Sequence, residues 1–190
     1  MDAFLTSTIL VALAEIGDKT QLLALVLAAR YRRPWPIVLG ILAATLANHA
    51  LAAWLGASAA AWLAGPWFGA AVALGFIAMG LWTLVPDQLD NDEAPRPRHG
   101  AFLTTLVAFF LVEIGDKTQI ATIALAARYE AVLVVTAGTT LGMLLANVPV
   151  VFAGDALIRR VPLKAVRIVA AMVFVAMGVW MLASGTLPLA

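Results

Sequence analysis

Long apolar runs separated by short polar stretches dominate the pattern along this 190-residue chain. Each run reaches or exceeds the roughly 20 residues that an α-helix needs to cross a bilayer. Only 12% of the residues are charged, about half the share found in a soluble domain. The pattern therefore predicts an all-α membrane protein with six transmembrane helices. The predicted spans are residues 4–29, 34–57, 66–86, 101–127, 131–153 and 163–184.

The chain contains an internal repeat with an offset of 98 residues. The motif Glu-Ile-Gly-Asp-Lys-Thr-Gln occupies residues 15–21 in the first span and returns at residues 113–119 in the fourth. We predict two three-helix repeats, residues 1–86 and 101–190, joined by an acidic cytoplasmic linker at 87–100. Because three spans are an odd number, the second copy enters the membrane from the opposite side. This predicts the inverted repeat found in many secondary transporters.

Basic residues in the loops predict how the chain is oriented in the membrane. The side reached after spans one, three and five carries nine of them, whereas the other side carries Arg128 alone. Cytoplasmic loops are enriched in lysine and arginine, so we predict that both termini lie outside the cytoplasm. The nine are Arg30, Arg32, Arg33, Arg96, Arg98, Arg159, Arg160, Lys164 and Arg167.

Glu15, Asp18 and Lys19 lie in the middle of the first apolar run, where a bilayer tolerates charge least. Together they cost about 8–10 kcal/mol at a helix centre, and the large apolar residues of that span return only about 4–7 kcal/mol. The ions must pair, become protonated or line a wet cavity inside a bundle. Salt bridges that only hold helices together are one explanation. Two identical copies, each with one surplus acid, favour a functional site.

On one continuous helix, Glu15, Asp18 and Gln21 would form a single oxygen-rich stripe, and Lys19 could pair with Glu15. Gly17 would allow another backbone to approach, or local unwinding. The second copy supplies an equivalent set of residues: Glu113, Asp116, Gln119 and Lys117. The symmetry of an inverted repeat would bring the two sets together near the membrane midplane, where such transporters bind ions.

The charges and donor atoms of these two sets predict a site for a divalent cation. Each copy carries two acids and one base, so the pair has a net charge of about −2, which balances one divalent cation or two protons. Carboxylate and amide oxygens suit Ca²⁺, Mn²⁺ or Mg²⁺, and the chain has no cysteine. Burial and mutual repulsion should make the emptied carboxylates take up protons. We therefore expect metal-for-proton exchange by alternating access, with no resident cofactor.

Asn48 and Asn147 lie in spans two and five and are nearly equivalent if a slip of one residue is allowed. Either could complete the coordination shell, and hydrogen bonding between helices explains them equally well. His49 has no counterpart in this alignment and is expected to be packed or hydrogen-bonded, with a proton carrier as the less favoured alternative. Thr20 is expected to bond its own backbone.

The doubled Glu-x-Gly-Asp-Lys-Thr-Gln motif resembles the Gdt family of manganese/calcium transporters, and the resemblance covers the whole chain. It implies export of Mn²⁺ or Ca²⁺ from the cytosol in exchange for protons. It also implies that Glu15, Asp18, Glu113 and Asp116 bind the metal and carry the protons. The chain lacks the N-terminal extension of the eukaryotic members, so we expect a bacterial protein in the inner membrane.

Two other function classes stay open. An exporter or channel for a small organic cation, such as an amino acid, would show no metal dependence. An intramembrane enzyme would need a nucleophile or a cofactor, for which no candidate is evident, so we expect no enzymatic activity. The expected partners are a divalent metal ion, protons and the lipid bilayer, with a homodimer as an open option and no nucleic acid. Lys19 and Lys117 are either counter-ions or proton relays.

Overall fold

A computed structural model describes residues 3–63, 65–86, 100–154 and 161–184. Within these ranges all regular structure is helical, which confirms the all-α class. The eight helices found there are α1 (Ala3–Glu15), α2 (Lys19–Tyr31), α3 (Pro34–Trp62), α4 (Pro66–Thr83), α5 (Ala101–Glu113), α6 (Lys117–Tyr129), α7 (Val132–Ala153) and α8 (Leu163–Ser184). The predicted linker, apart from Gly100, lies outside the described residues, as do Arg96, Arg98, Arg159 and Arg160, so their cytoplasmic placement stays a prediction.

Three of these helices, α3, α7 and α8, are each long and apolar enough to cross a membrane. Their bounds agree with the predicted spans, except that α3 continues five residues beyond the predicted end, to Trp62. The third predicted span corresponds to α4, which ends at Thr83. The chain therefore carries apolar helices of membrane-spanning length in both halves.

The first and fourth predicted spans are each two helices, not one, so the prediction of a continuous helix through the motif was wrong. The chain leaves helical geometry at Gly17 (φ +84°) and at Gly115 (φ +77°), a region that glycine enters without strain. Asp18 and Asp116 then begin the next helices in extended backbone conformation. The helix that directly follows each break starts at an equivalent residue, as the 98-residue offset requires. Local unwinding at Gly17, one of the two alternatives, is what the structure contains.

Helices from the two halves pack closely side by side. A Cβ placed on Gly138 of α7 would lie 2.7 Å from the Phe4 carbonyl oxygen of α1, and one on Gly142 would lie 2.6 Å from that of Thr8. Such distances require glycine, because no side-chain atom fits between the backbones. Since both helices advance together through these contacts, α1 and α7 run in the same direction.

The symmetry-equivalent contact between the halves joins α3 to α5. A Cβ on Gly40 would lie 2.8 Å from the Phe102 carbonyl oxygen, and Gly40 and Phe102 are each 98 residues from Gly138 and Phe4. The start of α3 lies beside the end of α7, where the Trp35 and Phe152 rings are 5.6 Å apart. Helices α3 and α7 therefore run in opposite directions, and each carries one motif helix along its side.

Helices α4 and α8 pack against each other across a second symmetric contact. The Phe76 and Phe174 rings, again 98 residues apart in sequence, stack with centroids separated by 6.3 Å. This pair contacts α6 and α1. The two helix breaks lie among α1, α2, α3, α5, α6 and α7, whose contacts hold them together.

Candidate metal site

The two motif copies meet inside the protein, and their charged residues pair across the halves. Lys19 Nζ lies 3.5 Å from Asp116 Oδ1, and Lys117 Nζ lies 3.8 Å from Asp18 Oδ1. The predicted pairing of Lys19 with Glu15 was therefore wrong. With the helix broken between these residues, the four-residue spacing no longer places them on one face. Each lysine neutralises an aspartate of the opposite copy, which joins the halves at their centre.

The glutamine of each motif stabilises the break, and in the first motif Asp18 does so as well, whereas the Asp116 side chain makes no capping hydrogen bond. Asp18 caps α2, and its Oδ2 accepts a hydrogen bond from the Thr20 amide at 3.4 Å. Gln21 Oε1 accepts from the Gly17 amide at 3.0 Å, and Gln119 Oε1 accepts from the Gly115 amide at 2.7 Å. This arrangement resembles a capping box, in which the third helical residue reaches back to the residues before the helix. The predicted single stripe of Glu15, Asp18 and Gln21 is therefore absent, because the three stand on two helices.

The side-chain amides of the two glutamines bond the other half of the protein. Gln21 Nε2 donates to the Ala146 carbonyl at 3.0 Å. Gln119 Nε2 donates to Asn48 Oδ1. Residue 48 is 98 positions before residue 146, so the two contacts are equivalent. Both glutamines therefore stand at the site with their oxygens already engaged by backbone amides.

Glu15 and Glu113 end α1 and α5, and both are fully buried. Each accepts a hydrogen bond from the motif threonine five residues later: Thr20 Oγ1 to Glu15 Oε2 at 2.5 Å, and Thr118 Oγ1 to Glu113 Oε2 at 2.9 Å. The expectation that Thr20 bonds its own backbone was wrong. Because the break folds the threonine back over the glutamate, the hydroxyl contacts the carboxylate. Sequence reasoning missed both threonines as site residues, although their place in each motif copy was the available signal.

Three carboxylates converge at this point. Oxygens of Glu15, Glu113 and Asp116 all lie within 4.8 Å of one another, and all three side chains are buried. The Oε1 atoms of Glu15 and Glu113 have no hydrogen-bond partner among the described residues. Ca²⁺ binds carboxylate oxygens at about 2.3–2.6 Å, so one ion could contact oxygens with this separation. The cluster offers free acceptors at a place where water is scarce.

One polar residue of α3 and one of α7 face the glutamates. Asn147 Nδ2 lies 3.4 Å from Glu15 Oε2, and His49 Nε2 lies 3.9 Å from Glu113 Oε2. His49 and Asn147 are 98 residues apart, so the expectation that His49 has no counterpart was wrong. Asn48 instead corresponds to Ala146, and its Nδ2 donates to the Phe110 carbonyl at 3.0 Å. Both asparagines therefore make interhelical hydrogen bonds at the edge of the site.

The surplus negative charge of the site belongs to the glutamates. The four acids and two bases of the motifs give a net charge of about −2 when all are ionised. Both aspartates are paired with lysines. Two buried carboxylates in contact are unfavourable unless a cation or protons neutralise them. The geometry thus suits one doubly charged cation, or two protons in its absence.

The sequence matches the family described as "Divalent cation/proton antiporter GDT1" over residues 3–91 and 101–188. It is 52% identical over 178 residues to a Vibrio cholerae protein named "Putative manganese exporter", covering 93% of this chain and 88% of the relative. A GDT1-like protein of Synechocystis is 30% identical over 196 residues, covering 92% and 93%. Another, GDT1-like protein 5 of Arabidopsis thaliana, is 30% identical over 217 residues, covering 94% of each. No solved structure matches the chain significantly.

Proposed function

This chain belongs to the GDT1 family of divalent cation/proton antiporters, and we propose that it exports Mn²⁺, or alternatively Ca²⁺, from the cytosol in exchange for protons. Family membership makes it an integral membrane transporter of cations and not an enzyme. The observation that carries the proposal is the buried cluster of Glu15, Glu113 and Asp116, with two carboxylate oxygens left without a hydrogen-bond partner in the described part of the chain. Such a cluster is unfavourable when empty and ionised, and favourable when it holds a cation.

We propose six spans arranged as an inverted repeat in the bacterial inner membrane, with both termini outside the cytoplasm. In this arrangement α1 with α2, and α5 with α6, each form one broken span. The helix directions support the inversion: α1 runs with α7, α3 runs with α5, and α3 opposes α7, so the equivalent helices α1 and α5 oppose each other. Broken helices at the midplane are the usual place for ion binding in such transporters.

Charge balance supports exchange with protons. Replacement of one divalent cation by two protons leaves the net charge of the buried site unchanged, so neither form carries an unneutralised charge through the membrane. The oxygen donors of the cluster suit Mn²⁺ and Ca²⁺ alike. The name of the Vibrio cholerae relative supports Mn²⁺.

Flux measurements in proteoliposomes test this function. With a pH gradient imposed, we expect Mn²⁺ or Ca²⁺ movement to dissipate the gradient, and reversal of the gradient to reverse the direction of net metal movement. Metal flux that ignores the proton gradient would contradict exchange. Protein that moves no divalent cation, but moves an organic cation without metal, would favour the alternative exporter.

Two equivalent places in the inverted repeat, one at Tyr31 and the other at Tyr129, differ in a way that supports alternating access. Tyr31 Oη donates to Thr104 Oγ1 at 2.9 Å and closes α2 onto α5. The equivalent residues, Tyr129 and Thr6, instead line a cavity of about 470 Å³ between α1, α6 and α8. Thr6 Oγ1 is buried and has no hydrogen-bond partner among the described residues. In our proposal, one conformation closes the Tyr31 end and the other closes the Tyr129 end.

We expect Tyr31→Phe to shift the population toward the conformation that is open at the Tyr31 end. Loss of one hydrogen bond of about 0.5–1.5 kcal/mol should raise the labelling rate of a cysteine placed at Ala108, one turn beyond Thr104, by about 2- to 10-fold. The natural chain has no cysteine, so a single introduced thiol reports alone. Tyr129→Phe is the matched control and should not raise this rate. Equal labelling of Tyr31→Phe and the parent would contradict the role of this bond.

A further inference from the structure

We propose that His49 is a nitrogen ligand that makes the site prefer a first-row transition-metal ion, here Mn²⁺, over Ca²⁺; this inference rests on the proposed function. His49 lies in the middle of α3 and is fully buried. Its Nε2 is 3.9 Å from Oε2 of Glu113, a member of the carboxylate cluster. The imidazole therefore stands beside the place where the ion would bind.

Neither ring nitrogen of His49 has a hydrogen-bond partner among the described residues. A buried polar group without a hydrogen-bond partner destabilises a fold, and almost all buried polar groups in proteins have such a partner. Packing alone therefore does not explain an imidazole at this position. A neutral imidazole keeps one nitrogen lone pair, which makes histidine the commonest metal ligand in proteins. A bound ion would supply the missing partner.

The separation of the two donor atoms fits coordination to one ion. For metal–ligand bonds of about 2.1 Å in octahedral geometry, neighbouring ligands are about 3 Å apart and opposite ones about 4.2 Å apart. The 3.9 Å between His49 Nε2 and Glu113 Oε2 falls between these limits. Because Glu113 also reaches Glu15 and Asp116, an ion held by Glu113 can have oxygen ligands and the histidine together.

The two halves differ chemically at this position. Asn147 occupies the equivalent place in the other half and presents its amide to Glu15, with Nδ2 3.4 Å from Oε2. The carboxylates of both halves supply oxygen donors, which serve Ca²⁺ and Mn²⁺ alike. Among the described residues, an imidazole stands only on the Glu113 side, and this is a donor that transition metals bind and that Ca²⁺ sites do not use. The preference between the two ions would therefore come from His49.

The test uses the purified full-length protein with Mn²⁺ alone, and then with Ca²⁺ as a competitor. Pulsed electron paramagnetic resonance on protein with ¹⁵N-labelled histidine should show coupling of one histidine nitrogen to bound Mn²⁺. His49→Asn, which installs the residue of the equivalent position, should remove this coupling. It should also lower the ratio of Mn²⁺ to Ca²⁺ affinity by at least about tenfold. His99→Asn changes the only other histidine and should alter neither quantity.

Bound Mn²⁺ without histidine coupling in the parent protein would overturn the inference, and this measurement does not depend on any variant folding. An unchanged affinity ratio in His49→Asn would also overturn it. Asparagine can still donate to Glu113 as Asn147 does to Glu15, so a residue that only positions the carboxylate would leave the ratio intact. A parent protein that binds neither ion would refute the proposed function itself, and is thereby distinguished from a failure of the histidine role alone.

Discussion

Replacing Glu15 by glutamine is expected to abolish divalent-cation transport while leaving the protein folded. The change removes one of the two surplus negative charges at the site and keeps the shape of the side chain. A divalent ion would then have one uncompensated buried charge, which costs about 3–5 kcal/mol and corresponds to a loss of affinity of at least about 100-fold. Glu113→Gln should have a similar effect, because its carboxylate is also fully buried and accepts a hydrogen bond from the motif threonine of its own half.

Although Glu15→Gln should abolish transport, it should not lower the stability of the fold. Glu15 is fully buried, and its Oε1 has no hydrogen-bond partner in the described part of the chain. A neutral amide costs less to bury than a charge, and its oxygen can still accept from Thr20. We therefore expect Glu15→Gln to unfold at the same temperature as the parent, or at a higher one. Lost transport with an unchanged or higher unfolding temperature distinguishes a functional carboxylate from one that holds helices together.

The measurement is Mn²⁺ uptake into proteoliposomes together with thermal unfolding of the same preparations. Glu130→Gln is the matched control, because Glu130 is an exposed glutamate at the end of α6. It should leave both quantities unchanged. Transport by Glu15→Gln at the parent rate would remove this glutamate from the ion site. Loss of transport accompanied by a large fall in unfolding temperature would instead indicate a structural role.

The sequence predicted that the two motifs carry the site and offered local unwinding at Gly17 as one alternative, but it predicted each span as one continuous helix. An apolar run of 26 residues, such as 4–29, favours one helix, because hydropathy does not report where φ becomes positive. The available signal was local: Gly17 followed by Asp18-Lys19-Thr20-Gln21 has the residues of a helix end followed by a capping box. Once the break is recognised, the placement of Thr20 over Glu15 follows from the same geometry.

Two other features depended on how the halves meet. The exchange of partners between Lys19 and Lys117 could not be inferred from spacing along one helix, since it forms only when the halves pack together. The equivalence of His49 and Asn147 was present in the 98-residue offset. This equivalence was missed because Asn48 was aligned with Asn147, a residue of the same type, although that alignment departs from the 98-residue offset. In an internal repeat with a constant offset, position is the better guide.

The exchanged ion pairs lead to the second large effect, which concerns stability. Lys117 and Asp18 are only 3% and 2% exposed, so Lys117→Met should leave a buried carboxylate without its cation. The loss of one partner of a buried pair typically costs about 3–5 kcal/mol. For a chain of this length, that corresponds to an unfolding temperature lower by about 6–20 °C. The six tryptophans allow unfolding in detergent to be followed by intrinsic fluorescence.

The double variant Lys117→Met with Asp18→Asn should recover part of this loss, because no charge remains unpaired and asparagine still caps α2. A coupling free energy of about 1–3 kcal/mol between the two changes is expected. The matched comparison is Lys19→Met with Asp116→Asn. Lys19 is 19% exposed, so water can replace part of its interaction, and the single change should cost less. Additive effects of the changes at Lys117 and Asp18 would show that the pair does not contribute to the junction between the halves. Equal stability losses for Lys117→Met and Lys19→Met would show that burial does not determine the size of the loss.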